Sequence, residues 1–460
     1  MVELNLNEIA ENTGGEILQG SPRVVFRTFN IDSRSSRPGE LFFALVAQRD
    51  GHAYVPDAAQ KGAAGAVISR PIPPPGSDIA LIQVNDTLLA LQNLAKKVLD
   101  THPVKVVGIT GSIGKTTTKE FAAALLDKSF TVLKSEGNYN NHIGLPLSIL
   151  RLQQKDEVTV LEMGMSAAGE ITRLTQIAPP DIAVITNIYP VHLEFFNTVA
   201  EIALAKKEIL EGMKPDGTAV LNGDDPAVLK IAKDWRGTKL LFGLSDGCDI
   251  RAENIQRTGY RGISFDFIYD NERAKTSIPF IYKSFLYNFL AAAAAAYALS
   301  TPFANILAQT EILRPFPMRG EIHHLPNSII LIDDSYNSNP AALEFALKDL
   351  SEMDATRKVA VLGDMLELGE AQTAYHLEAG KQVRQNAWDL LITVGPLGHH
   401  VAEGALQAGM MDGQIACFEN SEEAANHVAS ILEPGDLVLV KGSRGMRTEK
   451  IVERLKKREN

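Results

Sequence analysis

The sequence predicts an α/β protein built as three units, and three observations predict it. Short apolar runs alternate with helical stretches along most of the 460 residues, which implies mostly parallel sheets covered on both faces. One such run, Val104–Ile109, ends in a glycine-rich turn that opens a helix at Lys115. The length is about three times a common domain of roughly 150 residues. The changes of pattern along it divide the chain into 1–84, 85–313 and 314–460.

The first unit is mixed. A short amphipathic helix near Leu6–Glu11 precedes strand-like pieces at Val24–Ile31 and Leu41–Leu45. A helix around Val55–Gly62 and strands at Ala66–Ile68 and Ile79–Val84 follow. Pro71–Gly76 (PIPPPG) reads as a rigid surface loop. A helix at Thr87–Leu99 leads into the second unit, where strands are expected at Val104–Ile109, Val158–Leu161, Ile182–Ile185, Thr218–Leu221 and Leu240–Phe242. Between Ile250 and Ile281 strand follows strand, the signature of an antiparallel extension. Tyr287–Ser300 reads as a helix, whose six consecutive alanines give high helix propensity and allow close packing. The third unit shows strands at Ile329–Ile332, Val359–Leu362, Leu390–Val394 and Leu437–Val440 with helices between, again doubly wound. It has no GxGxxG after its first strand, so a dinucleotide fingerprint is absent. No repeat with a period of 20–50 residues is present.

Composition narrows the function. Hydrophobic residues make up 45% and charged residues 22%, which is globular and excludes a long disordered chain. The net charge of −11 argues against coating nucleic acid or anionic membrane, although a local basic site is compatible with it. The two cysteines, Cys248 and Cys417, are far apart and form no CxxC pair. They support neither a structural zinc nor a disulfide framework and fit a reducing compartment. The start MVELNLNEIAENTGG has no basic stretch followed by an apolar run, and the longest apolar run, Leu290–Ser300, is too short to span a bilayer. A cytoplasmic protein without membrane insertion is expected.

The turn after Val104–Ile109 reads GITGSIGKT from Gly108 to Thr116, the GxxxxGK[ST] pattern with one extra residue between its first glycine and Gly114, with a strand before it and a helix after it. Its glycines let backbone N–H groups of Thr110, Gly111, Ser112, Ile113 and Gly114 surround phosphates, aided by the helix N-terminus. Lys115 should reach the β/γ-phosphates, and the Thr116 hydroxyl should bind Mg²⁺. Kinases, motors, switches and ligases share such a loop, so other groups must decide the reaction. Glu162 ends an apolar strand and either faces a metal beside the loop or is a solvated strand-end carboxylate. His192 follows the next strand; Mg²⁺ prefers oxygen, which favours a packed or hydrogen-bonding histidine. On the helix from Ala200 to Met213, Ile202, Lys206, Ile209 and Met213 share one face. Lys206 therefore interrupts an apolar stripe. It either snorkels outward, the commoner outcome, or has a function.

Together these stretches resemble the Mur ligases, ATP-dependent amide-forming enzymes of bacterial peptidoglycan synthesis. The matching segments include TGSIGKTTTKE (Thr110–Glu120), GNYNNHIGLPLS (Gly137–Ser148), LEMGM (Leu161–Met165), TNIYPVHLE (Thr186–Glu194) and AKKEI (Ala205–Ile209). They continue with LNGDD (Leu221–Asp225), RGEIHHL (Arg319–Leu325), DDSYNSNPAAL (Asp333–Leu343), VLGDMLELG (Val361–Gly369) and KGSRGMRTE (Lys441–Glu449). DSRSSRPGELFFAL (Asp32–Leu45) and DGHAYV (Asp50–Val55) fit as well, so the resemblance spans essentially the whole chain. DDSYNSNP, VLGDMLELG and KGSRGM resemble the branch that adds D-alanyl-D-alanine to UDP-N-acetylmuramoyl-tripeptide, and the DNPR signature usual in the branch adding the third residue is missing. Two departures stand out: His142 occupies a position where the family often has Asp, and Tyr189-Pro190-Val191 replaces a Gly/Ala-containing turn.

The resemblance implies a small α/β UDP-substrate domain, a central P-loop ATPase domain with a mostly parallel sheet, and a C-terminal Rossmann-like domain. It implies ATP and Mg²⁺, with Glu162, His192 and a carbamylated Lys206 joining Thr116 as metal ligands, and Lys115 and Arg319 as further catalytic groups. It implies ATP contacts along Thr110–Thr117, at Asn288 on the adenine side, at Arg319 near the γ-phosphate and at Asp334 on the ribose. Ser33, Arg34, Asn140 and Asn141 match the region holding the uridine nucleotide and its sugar–peptide. The partners implied are small molecules alone, without nucleic acid, and a monomer is expected. Three rivals remain at this point: a P-loop kinase or NTP-driven switch, a non-catalytic nucleotide-binding assembly protein, and a relative such as a cyanophycin or folate polyglutamate ligase. The DSR…DGH segment favours the muramoyl-peptide branch.

Overall fold

The structure, a computed structural model, describes residues 2–73, 79–310 and 312–457. Pro74–Gly76 of the expected surface loop and the last three residues, 458–460, lie outside the described residues.

Three sheets organise the chain. The first has five strands in the order Glu16–Gln19, Ala80–Gln83, Gly65–Ile68, Leu41–Phe43 and Phe29–Asn30, parallel except for the first pair. The expected continuous strand Val24–Ile31 is instead two pieces. Val25–Phe26 pairs with Leu4–Asn5 in a separate ribbon, and Phe29–Asn30 edges the main sheet. An apolar alternation does not reveal that neighbouring residues serve different sheets.

The central sheet has nine strands. In spatial order they are Glu272–Ile278, Ile263–Tyr269, Ile250–Arg257, Thr238–Gly243, Thr218–Asn222, Ile182–Ile185, Lys105–Thr110, Val158–Glu162 and Val132–Lys134. The first three form the expected antiparallel extension, and the rest run parallel. Lys105–Thr110 lies between Ile182–Ile185 and Val158–Glu162, with Thr110 opposite Ile185 and Ile109 opposite Glu162. Strand order therefore reverses beside the glycine-rich loop, and such a point opens a crevice at the carboxyl ends of the strands.

The third sheet runs Glu321–Leu325, Ile329–Asp334, Asp436–Lys441, Arg357–Gly363, Leu390–Val394, Ile415–Phe418. Only the first pair is antiparallel. The edge strands Glu321–Leu325 and Ile415–Phe418 were not expected, because a charged EIHHL and a short IACF lack a clear apolar run.

Packing ties the units together. Helix Thr87–Thr101 contributes Leu91, Leu94, Ala95 and Val98 to a core shared with Leu6, Phe26 and Leu41 on one side and Leu145 and Ile149 on the other. Helix Lys283–Ala298 buries Ala291 to Ala296 completely and packs on the helix Lys115–Leu126 that follows the glycine-rich loop. Its lack of any exposed face in that stretch is what an all-apolar helix requires. No described helix is long and apolar enough to cross a membrane. Cys248 is buried, Cys417 is exposed, and neither forms a disulfide.

Candidate active site

A cleft of about 620 Å³ lies between the central and C-terminal units. It is lined by Ser112 to Thr117, Asn140, Asn141, Glu162, His192, Asn288, Arg319 and Asp334. Most of the residues singled out from the sequence thus meet in one place. Thr110, Gly111, Ser33, Arg34 and Lys206 do not line it. A second groove of about 860 Å³ lies between helix Thr87–Thr101 and helices Glu170–Ile177 and Val199–Glu211. It holds none of these groups.

The loop is locked from the neighbouring strand's exit. Thr186 Oγ1 donates to Ile113 O at 2.7 Å, Asn187 Oδ1 accepts from Ile113 N at 2.9 Å, and Tyr189 N donates to Ser112 Oγ at 2.8 Å. Gly111 needs to be glycine: at φ 147°, a Cβ would stand 1.9 Å from Thr186 Oγ1. Gly114, at φ 83°, brings the loop against Asn288, and a Cβ there would stand 2.2 Å from Asn288 Oδ1. Lys115 Nζ folds onto the loop, donating to Gly111 O at 2.8 Å and Ser112 O at 3.2 Å. Burial lowers its pKa, and Arg319 adds to that while Glu162 and Glu367 oppose it. Arg319 reaches across from the C-terminal unit, donating to Thr116 Oγ1 at 3.3 Å with its guanidinium 4.0 Å above the Tyr336 ring. Asp334 is held by Lys441 Nζ at 2.6 Å, across paired strand ends.

The donors expected for a metal fit one by chemistry. Glu162 is 2% exposed; its Oε1 accepts from Asn140 Nδ2 at 2.8 Å, while Oε2 is buried with no partner. A buried, unsatisfied carboxylate oxygen is costly unless a cation uses it. His192 donates through Nδ1 to Glu367 Oε2 at 2.8 Å, which leaves Nε2 as the ring's acceptor. Lys206 does not snorkel. It is 1% exposed, no hydrogen bond or ion pair joins it to a described residue, and burial together with the charge of Lys115 drives its pKa well down. Burial and the neighbouring Lys115 both favour its neutral amine, the form that reacts with carbon dioxide.

Elsewhere, Ser33 is buried, and Lys61 Nζ donates to the carbonyls of Ser33 and Arg34 at 3.0 Å each. The Arg34 side chain is exposed and paired with Asp32 at 2.7 Å. Of the two departures, His142 lends its carbonyl to Gln92 Nε2 at 2.9 Å, and the Tyr189 ring sits edge-on to Phe345 of the C-terminal unit, centroids 5.6 Å apart.

The sequence reading missed Glu367, which lies 175 residues from its partner His192. It also missed the loop Tyr336–Asn339, and Ser443 and Arg444, which complete the C-terminal wall of the cleft. The only available signal was their place inside the DDSYNSNPAAL, VLGDMLELG and KGSRGMRTE segments.

Comparison with known proteins places the same segments in context. Residues 109–296 match the family model for the Mur ligase middle domain, and residues 318–444 that for the Mur ligase, glutamate ligase domain. The UDP-N-acetylmuramoyl-tripeptide–D-alanyl-D-alanine ligase of Bacillus subtilis (strain 168) is 34% identical, the alignment covering 99% of each chain. The enzyme of the same name from Escherichia coli (strain K12) is 31% identical, again over 99% of each. Among solved structures, a crystal structure of MurF from Acinetobacter baumannii superposes with a TM-score of 0.90 at 27% identity over 99% of both chains. The MurF ligase of Thermotoga maritima in complex with ADP gives 0.82 at 30% identity, covering 94% of this chain and 97% of its own.

Proposed function

The chain belongs to the Mur ligase family, and from that premise we propose that it joins D-alanyl-D-alanine to UDP-N-acetylmuramoyl-tripeptide at the expense of ATP. The product is the UDP-N-acetylmuramoyl-pentapeptide, with ADP and phosphate, a step of cytoplasmic peptidoglycan precursor synthesis by a monomer. One observation carries the reading: the phosphate loop, Glu162, His192, Arg319 and Asp334 line a single cleft between two units. The likeness over the full length to ligases of that name supports the same substrates.

A carboxylate resists amine attack because its leaving group would be oxide. The substrate carboxylate oxygen therefore attacks the γ-phosphorus of ATP, the bond to the bridging oxygen breaks, and ADP leaves. The acyl phosphate then accepts the dipeptide amine at carbon; phosphate departs, and the amine loses its proton. In-line phosphoryl transfer asks mainly for positioning and charge neutralisation. Lys115 supplies a cation by leaving its loop carbonyls for the β/γ-phosphates, and Arg319 supplies a second from the opposite wall. Thr110 to Thr117 cradle the phosphates, Asn288 faces the adenine side and Asp334 the ribose.

Mg²⁺, when bound, neutralises phosphate charge and draws reacting oxygens together. Thr116, Glu162, His192 and Lys206 as a carbamate are the residues that would hold it. Carbamylation forms a bond from the Lys206 nitrogen to carbon dioxide and releases a proton. It places a negative charge beside Lys115 and would give Mg²⁺ the oxygen it prefers.

We assign residues 1–84 to binding the UDP-sugar peptide, through Ser33 and Arg34, with Asn140 and Asn141 meeting it from the central unit, residues 85–313 to ATP, and residues 314–460 to the C-terminal ligase unit. The DSR and DGH segments support that assignment over a cyanophycin or folate polyglutamate ligase. The test is phosphate release from ATP with Mg²⁺ and UDP-N-acetylmuramoyl-tripeptide, with and without D-alanyl-D-alanine. Release that needs both substrates, with the pentapeptide found by mass, is expected. Release that ignores the dipeptide overturns the assignment.

A further inference from the structure

Two non-glycine residues that touch across the cleft are both in the left-handed region: His192 at φ 56° and Glu367 at φ 63°. Such backbone is costly outside glycine and persists where the surrounding structure imposes it. Each is mounted on its own unit. His192 O accepts from Phe195 N at 2.9 Å and Phe196 N at 3.2 Å, which closes a turn under the ring. On the other side, Leu366 N donates to Ser443 Oγ at 2.9 Å, and Met365 N donates to His376 Nε2 at 3.0 Å. The two loops then meet without a gap. Glu194 N donates to Glu367 O at 3.4 Å, and a Cβ on Gly369, at φ 54°, would stand 3.1 Å from Glu194 Cα and Leu193 O.

We propose that Glu367 is a positioning residue that prepares His192 for metal only when the C-terminal unit is seated on the central one. The inference rests on the ligase reading, in which His192 is a metal ligand. The carboxylate at Nδ1 fixes the tautomer with its proton on Nδ1 and turns the Nε2 lone pair outward. A carboxylate in that place orients a ligating imidazole and raises its basicity. The residue doing so here belongs to the opposing unit. Retracting the Glu367 loop would free the ring to rotate and to exchange its tautomer. Completion of the metal site is thereby made conditional on closure of the cleft, so phosphate chemistry waits for the wall that carries Arg319.

The test uses the full chain with a non-hydrolysable ATP analogue in bicarbonate buffer, titrated with Mn²⁺ and read by electron paramagnetic resonance. Wild type should bind a second Mn²⁺ beyond the one carried by the nucleotide. Glu367→Ala should weaken that second site roughly 10–100-fold. Glu367→Gln should lose far less, because its amide oxygen still accepts the Nδ1 proton. Gly369→Ala, which leaves both residues intact but pushes the loops apart, should resemble Glu367→Ala. Turnover should follow the same order, with the loss of Glu367→Ala falling on the Mg²⁺ dependence. Wild-type affinity for the second Mn²⁺ in Glu367→Ala overturns the inference, even if unfolding shows that the contact stabilises the fold. A wild type that binds no second Mn²⁺ overturns instead the metal reading of His192 on which the inference stands.

Discussion

Replacing Lys206 by Met should make the protein more stable and inactive at once. The side chain is 1% exposed on the helix stripe of Ile202 and Ile209, and no hydrogen bond or ion pair joins its amine to a described residue. A polar group buried without a partner costs about 1–3 kcal/mol in proteins. The like charge of Lys115 adds to the cost whenever the amine is protonated. Met keeps nearly the same volume and flexibility while removing the nitrogen, so little packing strain opposes the gain. The expected result is a stabilisation of roughly 1–3 kcal/mol in urea unfolding of the full chain without bicarbonate. Phosphate release should collapse in the same variant, and bicarbonate should not restore it, because the nitrogen that would carry the carbamate is gone. Destabilisation by more than about 1 kcal/mol would show a stabilising partner for the amine and refute the burial argument. Near-normal turnover would refute its catalytic role.

Other substitutions probe the frame around the cleft. Gly114→Ala must push against Asn288 Oδ1 at φ 83°, which costs about 1–2 kcal/mol for backbone alone; ATP-analogue binding by calorimetry should weaken about tenfold or more, with the far-ultraviolet spectrum unchanged. Asp349, on a C-terminal-unit helix, is ion-paired with Arg257 and accepts from Lys283 N at 2.8 Å, and the two side chains are 7% and 16% exposed. Asp349→Ala strands Lys283 N and leaves Arg257 only Glu352 at 3.4 Å and the residue 349 carbonyl, and should cost about 1–3 kcal/mol of unfolding free energy, with Asp349→Asn costing less. Asp364 is buried, which pushes its carboxyl up to about 6. The folded state therefore holds the proton more tightly than the unfolded one, so the stability this group contributes should fall as pH rises from about 4 to about 6, by up to roughly 3 kcal/mol. The stability difference between wild type and Asp364→Asn by thermal unfolding should fall across that window, and a difference that rises there would contradict the burial argument.

The site was legible where its parts are local in sequence. The phosphate loop Gly108–Thr116 is nine consecutive residues, and the structure builds the strand, turn and helix that the pattern demands. Lys206 betrayed itself by breaking a stripe of helical period, although burial had to be seen before snorkelling could be set aside. Glu162 and His192 stayed ambiguous because a strand-end carboxylate and a loop histidine have many ordinary roles. Only the orphaned Oε2 and the fixed Nδ1 distinguish them. Glu367 was illegible, since nothing local to ELG says that its loop meets Leu193 and Glu194 across the cleft. The strands of the central sheet were found because buried parallel strands are short uninterrupted apolar runs. The edge strands were lost because one exposed side dilutes that signal.

The alanine run of helix Lys283–Ala298 leaves the protein very little room to drift. Ala291 to Ala296 are all fully enclosed, so every rotational face of the helix is occupied by a neighbour. A larger side chain on the face toward helix Lys115–Leu126 widens that gap and, through Asn288, shifts the seat of Gly114, and one on the other faces lifts the helix off the central sheet. A saturation library should therefore show six adjacent positions that accept almost nothing but alanine or glycine. Such a block of intolerance normally marks a reactive centre; here it would mark a spacer whose thickness sets the gauge of the machine.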